Sequence, residues 1–364
     1  MKLPEGFLLS GINCGIKKNG YDLGLIYAKD LGTALGVFTI NANPAYSVTL
    51  SKKNINNPIK AVLVNSGNAN CYSHESGLKD TEDIITKLAE ELGVNQKNIL
   101  ISSTGIIGKV LPKEKIIKSL PELIKNLNKK YKNFSKSILT TDTFEKVSFK
   151  KASLNQKSFS LIGFSKGAGM ICPNMATLLG FIITDVFIPK NEFKKMVTEA
   201  VEESFNSISI DGCMSTNDTV FVISSNKVVL DNENEKKIFF QKLKDICLDL
   251  AKMIVKDGEG ATKFIEIQIN GAKTKQEAKA AGMALANSTL LKCAFYGANS
   301  NWGRIISALG QAGIKVKETI NIRSTNLEKK NIKMTVDLGR GEFCRKIFTT
   351  DLTPEYIDIN AEYS

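Results

Sequence analysis

KGAGMICPNMATLLGFIITD, residues 166–185, runs glycines and a proline straight into an apolar segment. TLLGFIIT (177–184) reads as a buried strand, and the hydroxyl of Thr177 stands at its mouth. The plain reading is a β-branched residue that opens the strand and is held there by one hydrogen bond. A chemical reading would make that hydroxyl a reactive group, with small neighbours that let backbone approach closely. The rest of the chain decides between them.

Further strands are expected at 34–40 (ALGVFTI), 61–66 (AVLVNS), 98–103 (NILISS), 159–164 (FSLIGF) and 219–225 (TVFVISS), each bounded by Gly, Asn or Ser. Helical spacing appears in DTEDIITKLAEELG (80–93), which ends on a Gly suited to a C-cap. It recurs over 112–131, 191–205, 234–258, 275–291 and 301–313, before strands around 314–322 and 332–339. The Lys/Asn-rich stretch 124–137 reads as an exposed helix end. Strands and helices mix without strict βαβ alternation, so the expectation is layered α/β rather than a doubly wound nucleotide fold.

The 364 residues are 43% hydrophobic and 24% charged, which suits a chain with a sizeable core and no need of disulfides. The net charge of +12 suggests nucleic acid, yet arginine occurs only at Arg304, Arg323, Arg340 and Arg345. Bidentate reading of phosphate and guanine favours Arg, so a solvated Lys-rich surface that attracts anionic substrates is expected instead. The seven cysteines form no CxxC pair, which argues against structural zinc and against a disulfide framework. MKLPEGFLLSG lacks a signal-peptide apolar region, and the apolar run at 175–183 is too short to span a bilayer. The expectation is a soluble cytoplasmic protein that binds neither membrane nor nucleic acid.

Several chemistries drop out. The single histidine, His74, sits in a loop-like NANCYSHESG, so a His-based nucleophile or metal site is disfavoured and no metal is expected. STGIIGKV and GEGATK both fall short of a Walker A loop, and no GxGxxG follows a strand. What remains are dense small and polar segments at strand ends: NSGNAN (65–70), SSTGIIG (102–108), TTDT (140–143), KGAGMICPNMAT (166–177), SIDGCMSTNDT (209–219), KDGEGATK (256–263) and GANSNWGR (297–304). Together they argue for a polar active site. Without a usable His, an α-amino group is the base that titrates near neutrality, at ~7.7–8.0. A chain cut before Thr177 would place such an amine beside the hydroxyl of the same residue.

These segments, with NWGRI and the terminal INAEY, resemble in order and spacing the glutamate N-acetyltransferase (ornithine acetyltransferase) family from about residue 7 onward. The resemblance implies a layered αββα body of the kind shared with self-processing aminopeptidases, plus a smaller C-terminal α/β lobe. It implies self-cleavage between Ala176 and Thr177 into an α chain (1–176) and a β chain (177–364), the lobe covering about 280–364. Thr177 would then carry acetyl from N2-acetylornithine to glutamate. Thr104 and Gly105 match the family's oxyanion hole, and Thr140, Lys166, Glu259 and Asn360 match substrate contacts. No cofactor is implied; acetyl-CoA would be a co-substrate only in a bifunctional member. An α2β2 heterotetramer is implied as well. Cys213 stands where the family commonly has an acidic residue, and Asn299-Ser300 where it has Asp-Pro. The family's last Ser/Thr contact lies beyond Asn360, and no residue here is assigned to it. A self-processing aminopeptidase or amidase of the same fold is the alternative.

Overall fold

Strand β2 (Leu23–Phe38) is long enough to belong to two sheets at once. In this computed structural model, which describes residues 2–74, 76–154, 157–172 and 178–362, its first half pairs antiparallel with β1 (Phe7–Ile12) and β3 (Ile59–Asn68). The pairing with β3 slips between Tyr27 and Gly32, and from Thr33 to Phe38 the strand pairs with β8 (Thr219–Val229). Gly32 allows the backbones to approach at this shift, because a Cβ there would lie 2.2 Å from the Ser224 carbonyl oxygen. Helix α1 (Tyr46–Asn54) lies between β2 and β3 in sequence.

Two compact units divide the chain: Met1–Gly167, Asn174–Ser204 and Met214–Leu250 form one, and Ala168–Pro173, Phe205–Cys213 and Ala251–Ser364 the other. In the first, β4 (Ile99–Ile106) joins β3 in parallel, after helix α2 (Gly77–Leu92). Helices α3 (Lys113–Lys125) and α4 (Lys132–Ser137) follow. Then β5 (Lys146–Ser153), β6 (Ser158–Lys166) and β7 (Leu179–Phe187) complete the second half of the sheet, in the order β4-β3-β2-β8-β7-β6-β5. Helices α5 (Lys190–Glu202) and α6 (Glu233–Lys256) flank β8 in sequence.

The layers follow from which faces are apolar. Leu9, Ile26, Val62, Val64 and Leu100 from one half of the sheet meet Ile162, Phe164, Phe181, Ile183 and Phe221 from the other in one buried cluster. The opposite faces of β2, β3 and β4 carry Leu25, Leu63 and Ile101, which pack on Ile84, Leu88, Ile116 and Leu120 of α2 and α3. On the far side Phe159 meets Phe239 of α6 edge-on, with ring centroids 5.7 Å apart, and Phe239 meets Phe193 of α5. Helix, sheet, sheet, helix is therefore the stacking, the αββα body expected. Burial on both faces explains why β3, β4 and β7 read as near-continuous apolar runs.

The second unit holds β9 (Phe264–Ala272), α7 (Lys275–Ala286), α8 (Thr289–Tyr296), α9 (Trp302–Gln311), β10 (Asn321–Ser324), β11 (Asn331–Asp337), β12 (Phe343–Thr350) and α10 (Pro354–Glu362). Its sheet runs β10-β11-β9-β12, and Ile267, Ile269 and Ile347 pack against Ala281, Leu285, Phe295 and Leu309 of its helices.

Local expectations are corrected in four places. The helix expected over 112–131 stops at Lys125, with Pro121 inside it. The stretch 124–137 is not simply an exposed helix end, because Phe134 of α4 is fully buried against Phe164 and Phe181. The helix expected over 275–291 is two, since Ser288 caps a new one by accepting the N–H of Leu291. Of the strand expected around 314–322, only Asn321–Ser324 forms.

Candidate active site

In the first unit, Thr104 and Gly105 close β4, where the parallel ladder with β3 ends. Gly105 takes φ +132° opposite Gly67 at +94°, and a Cβ on Gly105 would lie 2.4 Å from the Gly67 carbonyl carbon. Only glycine permits two backbones so close at that φ. Thr104 itself is buried.

Thr140 lies in the turn between α4 and β5, and Lys166 is the buried last residue of β6. What joins them is a residue the motifs did not single out, Asp142. Its carboxylate, fully shielded from solvent, accepts the Thr140 N–H at 3.0 Å, the Lys146 ammonium at 2.6 Å and the Gly167 N–H at 2.7 Å. Burial alone would raise its pKa. The charges of Lys166 and Lys146 and the Gly167 N–H outweigh that and hold it down to about 2. A single ionised carboxylate thus fixes both the Thr140 turn and the end of the Lys166 strand.

A second buried carboxyl lies in the DGCMSTNDT segment. Asp218, with no exposed surface, accepts the N–H of Leu178 at 3.0 Å on one oxygen, while its other oxygen has no partner among the described residues. Burial pushes its pKa well up, against the Leu178 N–H and the charge of Lys166. Its neighbour Asn217 donates to the carbonyls of Ala69 and Ser103, at 2.6 and 2.8 Å. The DGCMSTNDT segment therefore ties the NSGNAN and SSTGIIG segments to the start of β7. Ala176 and Thr177 lie outside the described residues.

In the second unit, Glu259 and Asn360 meet although far apart in sequence: Asn360 Nδ2 donates to Glu259 Oε2 at 3.1 Å. Helix α10 supplies Asn360, and the hydroxyl of Thr353 holds the start of that helix to the Gly260 carbonyl at 2.6 Å. The Glu259 N–H donates to Ala168 at 2.9 Å, and Gly169 is so close that a Cβ would fall 2.1 Å from Glu259 Oε2. The second glycine of KGAG, Gly169, is thereby required by the glutamate lying against it. Asp211 accepts the N–H groups of Ile171 and Cys213 at 2.8 and 3.1 Å, and burial raises its pKa. Cys213 is exposed.

His74 is exposed, 2.8 Å from the Ser76 hydroxyl in the loop before α2. Among the described residues no group of three His, Cys, Asp or Glu could hold a metal, and no helix is long and apolar enough to cross a membrane.

The ArgJ family model matches residues 8–364. The chain belongs to the ArgJ family. Relatives agree over nearly full length on both sides. The arginine biosynthesis bifunctional protein ArgJ of Caldanaerobacter subterraneus subsp. tengcongensis is 37% identical, covering 100% of this chain and 98% of its own. That of Geobacter sulfurreducens is 37% identical, covering 99% of each. The glutamate N-acetyltransferase of Methanococcus maripaludis is 38% identical, covering 99% of this chain and 96% of its own. This ArgJ-family chain is accordingly an acyltransferase of arginine biosynthesis.

Proposed function

We propose that the chain cuts itself between Ala176 and Thr177 and then moves an acetyl group from N2-acetylornithine to glutamate by way of acetyl-Thr177. The observation that carries this reading is the Asp142 cluster, which gathers Thr140 and Lys166 from separate elements onto one buried carboxylate. A cationic Lys166 suits the carboxylate of an amino-acid substrate, and Glu259 suits the side-chain ammonium of ornithine.

In this mechanism the freed α-amine of Thr177, with a pKa of ~7.7–8.0, takes the proton of the Thr177 hydroxyl. The oxygen adds to the acetyl carbonyl of acetylornithine. Negative charge then grows on the carbonyl oxygen, and donors at Thr104 and Gly105 would hold it, each contributing about 3–4 kcal/mol at the transition state. Collapse breaks the amide C–N bond, and the ammonium returns its proton to the departing ornithine amine. Glutamate enters with its amine neutral and attacks the Thr177 ester. The same steps in reverse order then release N-acetylglutamate and restore the hydroxyl. A second, acetyl-CoA-dependent synthesis of N-acetylglutamate would reach the same acetyl-Thr177 from a thioester donor. The reading places the enzyme in the cytoplasm as an α2β2 assembly of its own two chains.

The test is a denatured mass of the purified protein beside Thr177→Ala, followed by transfer assays. Two pieces with a new N-terminus TLLGFIITD, none in the variant, and acetyl transfer from acetylornithine to glutamate would support it. An uncut, inactive wild-type protein would overturn it.

A further inference from the structure

The segment NCGIKKNGYD, between β1 and β2, plays no part in the site so far. It is nonetheless a built loop. The buried carboxylate of Asp22 accepts three backbone N–H groups, from Cys14 at 2.6 Å, Ile16 at 2.7 Å and Lys17 at 2.9 Å. Lys115 of α3 adds a bond to the Gly15 carbonyl at 2.9 Å. A loop closed on itself in this way fixes where Lys17 starts. The side chain then lies over Gly67, where an added Cβ would come 2.8 Å from Lys17 Cγ. Gly67 is the ladder partner of Gly105. Past it, Lys17 Nζ donates to the Leu139 carbonyl at 3.1 Å, one residue before Thr140.

Lys17 therefore reaches across from Gly67 to the Thr140 turn, all within the first unit. An ammonium has three N–H donors, and the Leu139 carbonyl is the one partner of Lys17 Nζ among the described residues. Burial lowers its pKa, Asp22 and Asp142 partly offset this, and Lys166 lowers it further. It stands in the field of another lysine, with donors to spare, in a partly buried place. That is the setting in which a carboxylate from outside would bind.

We propose that Lys17 is a second cationic contact, with Lys166, for the carboxylate common to the amino-acid substrates. The inference rests on the transferase reading above and deepens it. Since donor and acceptor share that carboxylate, Lys17 serves both half-reactions. Its hydrogen bond to Leu139 sets the direction of the ammonium, and its charge supplies the affinity.

The experiment compares wild type, Lys17→Gln and Lys17→Arg as processed enzymes, with steady-state kinetics in acetylornithine and in glutamate and with calorimetric titration of N-acetylglutamate. Gln can keep a hydrogen bond to the Leu139 carbonyl but has no charge. Expected is a KM raised about 10- to 100-fold for both substrates in Lys17→Gln, the range of a charge-assisted hydrogen bond, with kcat within about threefold. Lys17→Arg recovers most of the loss, and all three proteins melt alike. Unchanged KM for both substrates in an active Lys17→Gln overturns the proposal, as does a fall in kcat alone, which would mark Lys17 as a prop for the Thr140 turn. If the wild type transfers no acetyl group, the transferase reading fails by itself. Loss of N-acetylglutamate binding in Lys17→Gln would then still uphold the carboxylate contact, and equal or absent binding in both would end it.

Discussion

Asp142 accepts the backbone N–H of Gly167 at 2.7 Å, so the turn that carries Thr140 is fastened to the end of the strand that carries Lys166. Replacing Asp142 by Ala should remove the carboxylate that ion-pairs with the buried Lys146 ammonium at 2.6 Å and that faces the charge of Lys166. Loss of one partner of such a pair costs about 3–5 kcal/mol. Urea unfolding should show that loss, and the residual folded enzyme should bind substrate weakly.

The same carboxylate predicts an acid limb. Its pKa in the folded protein is about 2, against an ordinary 3.8. A depressed carboxyl stabilises the fold at pH values above its unfolded pKa, and that contribution disappears as pH falls from about 4 to about 2. The size is about 2 kcal/mol for a shift of this order. Melting temperature followed from pH 5 to pH 2 should fall more steeply in wild type than in Asp142→Asn.

Gly105→Ala should be damaging twice over. An alanine at φ +132° is strained by about 1–3 kcal/mol, and its Cβ would strike the Gly67 backbone. If the local N–H groups hold the oxyanion, kcat should fall by about 10²–10³ in protein that still folds. A variant with normal kcat would remove Gly105 from the mechanism.

Asp218→Ala should act on maturation. It leaves the Leu178 amide without its acceptor, at a cost of about 1–3 kcal/mol, next to the bond proposed to be cut. Mass spectra taken over time should show slower appearance of the two pieces than in wild type.

Glu259→Gln keeps an acceptor for Asn360 and removes only the charge. The KM for acetylornithine should rise by about tenfold or more, with a smaller change for glutamate, which has no side-chain ammonium to lose. An equal change for both would mean that Glu259 does not hold that ammonium.

The strands that sequence made legible are those buried on both faces, such as β3, β4 and β7, whose apolar runs need no partner to be recognised. Helix α1 was missed because the residues it buries include Ser47, Ser51 and Asn54, and its stability leans on Ser51 bonding both the N–H and the carbonyl of Ile101. Strand β12 alternates poorly, with Arg345 and Lys346 in its middle. The family motifs pointed to Thr140, Lys166, Glu259 and Asn360. They did not reveal Asp142 as the link between two of these, because its partners Lys146 and Gly167 reach it only once β5 and β6 are paired. Lys17 was hidden for a similar reason: a lysine in a Lys-rich chain carries no signal until its loop is seen closed on Asp22.

The strand order β2-β8-β7-β6 has a kinetic meaning if the chain is cut before residue 177. Strands β7 and β8 then belong to the second piece and lie interleaved between β2 and β6 of the first, each flank an antiparallel ladder. The pieces are joined along both ladders at once, so they part only when the layered body unfolds. Once unfolded, they must find each other again by diffusion. Refolding of the cut protein should therefore slow on dilution, whereas an uncut Thr177→Ala chain should refold at a rate independent of concentration.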